Sequence, residues 1–240
     1  MPRWSARPAR AQPIDGGLPE TAAVVLSNLE TLGIRPKQIR WLLSTHGHFD
    51  HAGGLAELKA RSGASLAALP AEQPLLERGG LGDPNFGDSF YFPAVRVDRL
   101  IKDREVIKVG GVTLIAHHTP GHTPGNTSWE VVQRLQGKTV RAVIVGSITA
   151  PGYRLIGNTA YPHLVEDYRR SFKRLRALAA QGTDVFLGAH GSFFDFEAKR
   201  ARLEAAPKGP NPFMDRDALA RHVDRYEREL ETKLVAERAA

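Results

Sequence analysis

Residues 38–54 read QIRWLLSTHGHFDHAGG. The segment 38–44 has the length and apolar content of a buried strand. It runs directly into four metal-capable side chains within six residues, His46, His48, Asp50 and His51, and Gly53-Gly54 follow. In an extended segment His46 and His48 point the same way. Asp50 and His51 are adjacent and cannot both join that pair in one extended geometry. One strand-end loop feeding two neighbouring metal sites resolves the conflict. Neutral imidazole and carboxylate suit Zn²⁺, with bonds of roughly 2.0–2.2 Å and a tetrahedral preference. A catalytic zinc takes three protein ligands and keeps one position open, so two sites need about six ligands. The loop supplies four.

Two further ligands are found in Gly-flanked loops after other strands, where a rigid scaffold presents functional groups. His122 lies in TPGHTPG at 119–125, and His190 follows the strand expected over 184–187. His117, His118, His163 and His222 are read as structural or solvent-facing. Of these, His117 or His118 could stand behind the site and orient a ligand.

Working outward, residues 19–32 carry apolar side chains at the helical period, with Gly33 as a C-terminal stop. A helix over 52–61 and a short strand over 65–69 follow. The Gly-, Asp-, Asn- and Pro-rich stretch 79–88 is a loop. Residues 106–109 and 112–116 predict a hairpin turned at Gly110-Gly111. Strands are expected at 127–132 and 142–145, an amphipathic helix at 164–179 and a final helix at about 215–237. Strands alternate with helices and the candidate ligands sit where strands end. That pattern predicts one α/β layered domain over 1–240, with an irregular basic stretch at 1–13.

The 240 residues include 33 basic and 26 acidic side chains, a net charge of +7. The excess is scattered except for Arg169, Arg170, Lys173, Arg174 and Arg176, on the polar side of the 164–179 helix. This predicts a solvated basic face and no nucleic-acid partner. No apolar run is long enough to span a membrane. With no cysteine in the chain, disulfides and thiolate zinc ligands are excluded.

The runs THGHFDHAGG at 45–54, HTPGHTPG at 118–125 and GAHGSFFD at 188–195 resemble the metallo-β-lactamase superfamily. The resemblance implies a four-layer αββα sandwich holding two Zn²⁺ ions. It assigns His46, His48 and His122 to the first zinc and Asp50, His51 and His190 to the second. In the glyoxalase II, lactonase and RNase Z branches an aspartate after a central strand bridges the metals. Here Gly146-Ser147 stands at that strand end. Together with the run from Ser147 through APGY at 150–153 to Phe172, this is similar to subclass B3 of the β-lactamases. DGG at 15–17 and GDPNFGDSF at 82–90 fit as well.

By that resemblance the chain hydrolyses the β-lactam amide of small-molecule antibiotics, using water activated on zinc. Asp50 would serve both as ligand and in orienting that water. Ser147 and Thr149 would hold the substrate carboxylate, and Asn126 would add a polar contact. The alternatives are another hydrolase of this fold, acting on a lactone, thioester or phosphodiester, and a zinc-binding remnant with impaired activity. The family places two or three strands before DGG, whereas about 14 Arg- and Pro-rich residues precede Asp15 here. Those first strands are expected to be absent or replaced. The likeness implies a periplasmic location, while 1–12 lack the apolar core of a signal peptide, which leaves a cytoplasmic one open.

Overall fold

In the computed structural model residues 12–135 and 137–239 are described, so most of the basic stretch expected at 1–13 lies outside them. Strands β1 (Trp41–Leu43), β2 (Ser65–Ala68) and β3 (Arg99–Leu100) form a parallel sheet in that order. A second sheet runs β4 (Val106–Val109), β5 (Val112–His118), β6 (Thr127–Leu135), β7 (Lys138–Ile144), β8 (Val185–Leu187). Its first four strands are antiparallel neighbours, and β8 pairs in parallel with β7. The helices are α1 (Ala22–Thr31), α2 (Phe49–Ala52), α3 (Leu55–Ser62), α4 (Gln73–Glu77), α5 (Leu164–Ala180), α6 (Phe196–Ala205) and α7 (Ala218–Ala239).

Three apolar clusters define the layers. Leu42 and Leu66 turn outward to Leu26, Leu55 and Leu58 of α1 and α3. Their strand neighbours Leu43 and Ala67 turn inward, against Leu114, Ala116 and Trp129 of the second sheet. This is the period-2 alternation of a strand covered on both faces. On the far side, Val143 and Phe186 meet Tyr168, Phe172 and Leu175 of α5 and Leu219, Val223 and Leu230 of α7. The order is helices, sheet, sheet, helices, the αββα sandwich expected from the sequence. Trp129, fully buried, donates from Nε1 to the Ser44 carbonyl at 3.1 Å and ties the two sheets together beside the site.

Several boundaries moved. The helix expected over 52–61 divides into α2 and α3 at Gly53-Gly54, and α2 already begins at Phe49. The strand expected over 38–44 is shorter, because Pro36–Gln38 forms a 3-10 turn. Elements β3, α4 and α6 were not anticipated. The N-terminal strands expected to be absent or replaced fall on residues that lie largely outside those described; among the described residues, Ile14 pairs in parallel with Leu43 along β1. Pro13 is accommodated there because it is needed only as an acceptor, from Leu43 N–H at 3.0 Å. The basic side chains of α5 are engaged mainly with acids. Arg169 pairs with Glu231, Arg170 with Asp167, Arg174 with Asp103, and Arg176 with Asp224 and Glu227. No helix among the described residues is long and apolar enough to cross a membrane.

Candidate metal centre

Three loops build the site. The first follows β1 and carries His46, His48, Asp50 and His51; the second joins β5 to β6 and carries His122; the third follows β8 and carries His190. Ladder pairing brings His118 opposite Thr127, so residues 119–126 must fold back as a compact turn. Thr127 N–H donates to the Thr45 carbonyl at 2.7 Å, which docks the second loop on the first.

The six expected ligands fall into two groups, His46–His48–His122 and Asp50–His51–His190. Within each group, one ligand atom per residue lies within 4.8 Å of the others. In the first group every ring has one nitrogen engaged by the protein. His46 Nδ1 lies 2.9 Å from Thr45 Oγ1, His48 Nε2 lies 3.0 Å from Asp83 Oδ2, and His122 Nδ1 lies 2.8 Å from the Thr149 carbonyl. The opposite nitrogens remain for a metal, and His46 Nε2 is buried without a hydrogen-bond partner. Such an orphan is costly in a protein interior unless something coordinates it.

In the second group His51 Nε2 and His190 Nε2 are 3.4 Å apart, and Asp50 Oδ2 is 3.5 Å from each. Ligand bonds of about 2.0–2.1 Å at tetrahedral angles give ligand-to-ligand edges of about 3.3–3.4 Å. The triangle therefore matches one face of such a site. His51 is oriented from behind by Asp15, whose Oδ2 lies 3.0 Å from Nδ1. Asp15 also accepts from the Thr45 amide and hydroxyl, both at 2.6 Å. Asp15 reaches them from a left-handed backbone conformation, φ 66°, which Asp tolerates better than most residues. The chain segments approach so closely here that a Cβ on Gly54 would lie 2.2 Å from the Gly16 carbonyl oxygen.

The electrostatics favour neutral rings at His46 and His122. Burial, reinforced by the neighbouring histidines, holds His46 and His122 well below the ordinary histidine pKa. Burial and His51 also lower His190. For His51, burial acts the same way, but the hydrogen bond and charge of Asp15, with Asp50, outweigh it and raise the pKa. Burial pushes Glu72 up to about 7, against hydrogen bonds from Thr123, Gly47 and Gly125.

The remaining expectations divide. Ser147 Oγ and Thr149 Oγ1 are 3.1 Å apart, so the hydroxyl pair exists. Asn126 is corrected. It is fully buried, with Nδ2 donating to Thr119 O at 2.6 Å and Ser147 O at 3.1 Å, and Oδ1 accepting from Ser147 N–H at 3.0 Å. No face of its amide is left for a substrate; it fastens the second loop to the end of β7. His118 Nε2 lies 2.8 Å from the Pro124 carbonyl, within its own loop, and His117 pairs with Glu130 at 3.0 Å; neither of these contacts is to a member of the two groups. His163 is exposed before α5, and His222 is buried against Phe186. Sequence reasoning missed Glu72 and Asp83 altogether. The only local hint for Asp83 is its Asx turn, in which Oδ1 accepts from the amides of Asn85 and Phe86.

The sequence model of the metallo-β-lactamase superfamily matches residues 14–181, the span that holds both sheets up to β7 and five of the six grouped residues. The chain belongs to the metallo-β-lactamase superfamily. Among solved structures, a metallo-β-lactamase of Cronobacter sakazakii described by its HARLDQ motif is 42% identical, with a TM-score of 0.88, covering 95% of this chain and 80% of that one. BJP-1, a subclass B3 metallo-β-lactamase of Bradyrhizobium japonicum, is 34% identical with a TM-score of 0.85, covering 94% and 84%. By sequence, a hydroxyacylglutathione hydrolase of Anaeromyxobacter dehalogenans is 33% identical over 119 residues, 49% of this chain and 37% of that protein. The chain thus spans little more than a third of the length of such curated relatives. Against the motif HARLDQ, the run His46 to His51 reads HGHFDH, with histidine in place of both arginine and glutamine.

Proposed function

We propose that this superfamily hydrolase opens the β-lactam ring of antibiotics, with a zinc ion at each of the two groups. One observation carries the reading. The Thr149 carbonyl takes the hydrogen bond of His122 Nδ1 at 2.8 Å, while its hydroxyl pairs with Ser147. A pair of carboxylate-binding hydroxyls is thereby fixed relative to the three-histidine group.

Zinc bound there would polarise the lactam carbonyl and lower the pKa of bound water to about 7. The chain's own side chains do the rest. Ser147 and Thr149 donate to the substrate carboxylate and set the ring over the histidines. Asp50, partly exposed, orients the attacking water and takes up its proton. The C–N bond breaks, the hydroxyl stays on the acyl carbon and the proton passes to the released nitrogen.

Thioester hydrolysis is the second reading, favoured by the hydroxyacylglutathione hydrolase among the relatives. Ser147 in place of an aspartate after β7 speaks against it. The test is to offer a chromogenic cephalosporin and a hydroxyacylglutathione thioester to the zinc-loaded protein. Cephalosporin turnover that stops with a chelator and resumes with Zn²⁺ is the expected result. Turnover of the thioester alone would replace this reading with the second, and zinc uptake without turnover of either would make the chain a binding remnant.

A further inference from the structure

Glu72 immediately precedes α4 and is 1% exposed. Its Oε1 accepts from the Gly47 amide, and its Oε2 accepts from the Thr123 hydroxyl at 2.7 Å. The Gly125 amide donates to the same carboxylate. Gly47 lies between His46 and His48, and Thr123 follows His122. One buried carboxylate is therefore hydrogen-bonded to the chain neighbours of all three histidines, yet to none of the histidines themselves. The fit leaves no room for change: a Cβ on Gly125 would lie 2.3 Å from the Glu72 amide nitrogen. No Lys or Arg pairs with Glu72 among the described residues, so these donors are what satisfy it.

From this geometry we infer that Glu72 is a positioning residue that sets the metal affinity of the three-histidine group alone. The inference rests on reading that group as a metal site. The second group has its own support in Asp15, and none of its members adjoins a donor to Glu72. Groups that orient metal ligands typically change affinity 10–100-fold when removed. Glu72→Gln keeps the shape but replaces one acceptor oxygen with a donor, which faces Thr123 and Gly125 or else Gly47.

The test titrates Zn²⁺ against a chromophoric chelator in two backgrounds. His190→Ala isolates the three-histidine group, and His46→Ala isolates the other. Glu72→Gln is expected to weaken the first at least 10-fold and leave the second within about 2-fold. Thr123→Val should reproduce part of the loss, and Thr123→Ser, which keeps the hydroxyl, should restore it. Unchanged affinity in the His190→Ala background, or equal losses in both backgrounds that track the melting temperature of the metal-free protein, would overturn the inference. If neither background binds Zn²⁺ even with Glu72 intact, the metal reading itself fails, and the inference with it.

Discussion

Asp83 Oδ2 lies 3.0 Å from His48 Nε2, across 35 residues of chain, and this contact decides which nitrogen of the ring faces a metal. Burial opposes ionisation of Asp83. The His48 hydrogen bond and the amides of Asn85 and Phe86 outweigh it and hold the carboxyl below its ordinary pKa. An ionised acceptor requires Nε2 to carry the proton, which leaves Nδ1 as the electron-pair donor. Asp83→Asn can keep the turn to Asn85 and Phe86 but presents an N–H to His48, favouring the wrong tautomer. The expected outcome is a 10–100-fold loss of zinc affinity with little change in melting temperature. Equilibrium dialysis against a buffered zinc series, beside a melting curve, checks both parts.

Asn126 yields a prediction of the opposite kind. Its amide joins Thr119 to both backbone groups of Ser147, in full burial. Removing it strands buried donors and acceptors, each worth about 1–3 kcal/mol. Asn126→Ala should therefore destabilise the fold by about 2–4 kcal/mol in urea unfolding, among the larger single-site effects. A substrate contact would behave otherwise. Stability would hold while KM rose, and that pattern would restore the role first expected from its sequence position.

Asp83 and Asn126 also mark how far the sequence could be read. The ligand run His46 to His51, the β4–β5 hairpin and α5 are legible because each is a local pattern: a residue cluster, a Gly-Gly turn, a helical apolar stripe. The helix over 164–179 was placed to within one residue. In contrast, α6 went unseen because Lys199 is its only buried residue, so it shows no apolar stripe to detect. Five residues with Pro74 make α4, and two residues make β3, too short for any period. The supports of the site were harder still. Asp83, Glu72 and Asp15 reach their partners across 35, 25 and 36 residues, and a lone carboxylate has no spacing to recognise. Asn126 was misjudged for the same reason: proximity in sequence to His122 says nothing about which way a buried amide faces.

Away from the metal groups, His222 provides a pH-dependent stability term. It packs among Phe186, Phe193 and Tyr226, with ring centroids 4.5, 5.8 and 4.8 Å away. Burial, helped by Arg225, lowers its pKa to about 4, against roughly 6.5 in an unfolded chain. Between those values the unfolded state binds a proton that the folded state refuses. Stability must therefore fall as pH drops through that window and level off below it. The slope is at most about 1.4 kcal/mol per pH unit, on the order of 3 kcal/mol in all. His222→Phe keeps an aromatic ring and removes the titrating group. Other buried histidines titrate in parent and variant alike, so the quantity to follow is the difference between the two. Urea unfolding of both chelator-treated proteins at pH 7.5, 6 and 5 should show that difference moving steadily in favour of the variant. A difference that stays constant with pH would mean that His222 is not held neutral by its surroundings.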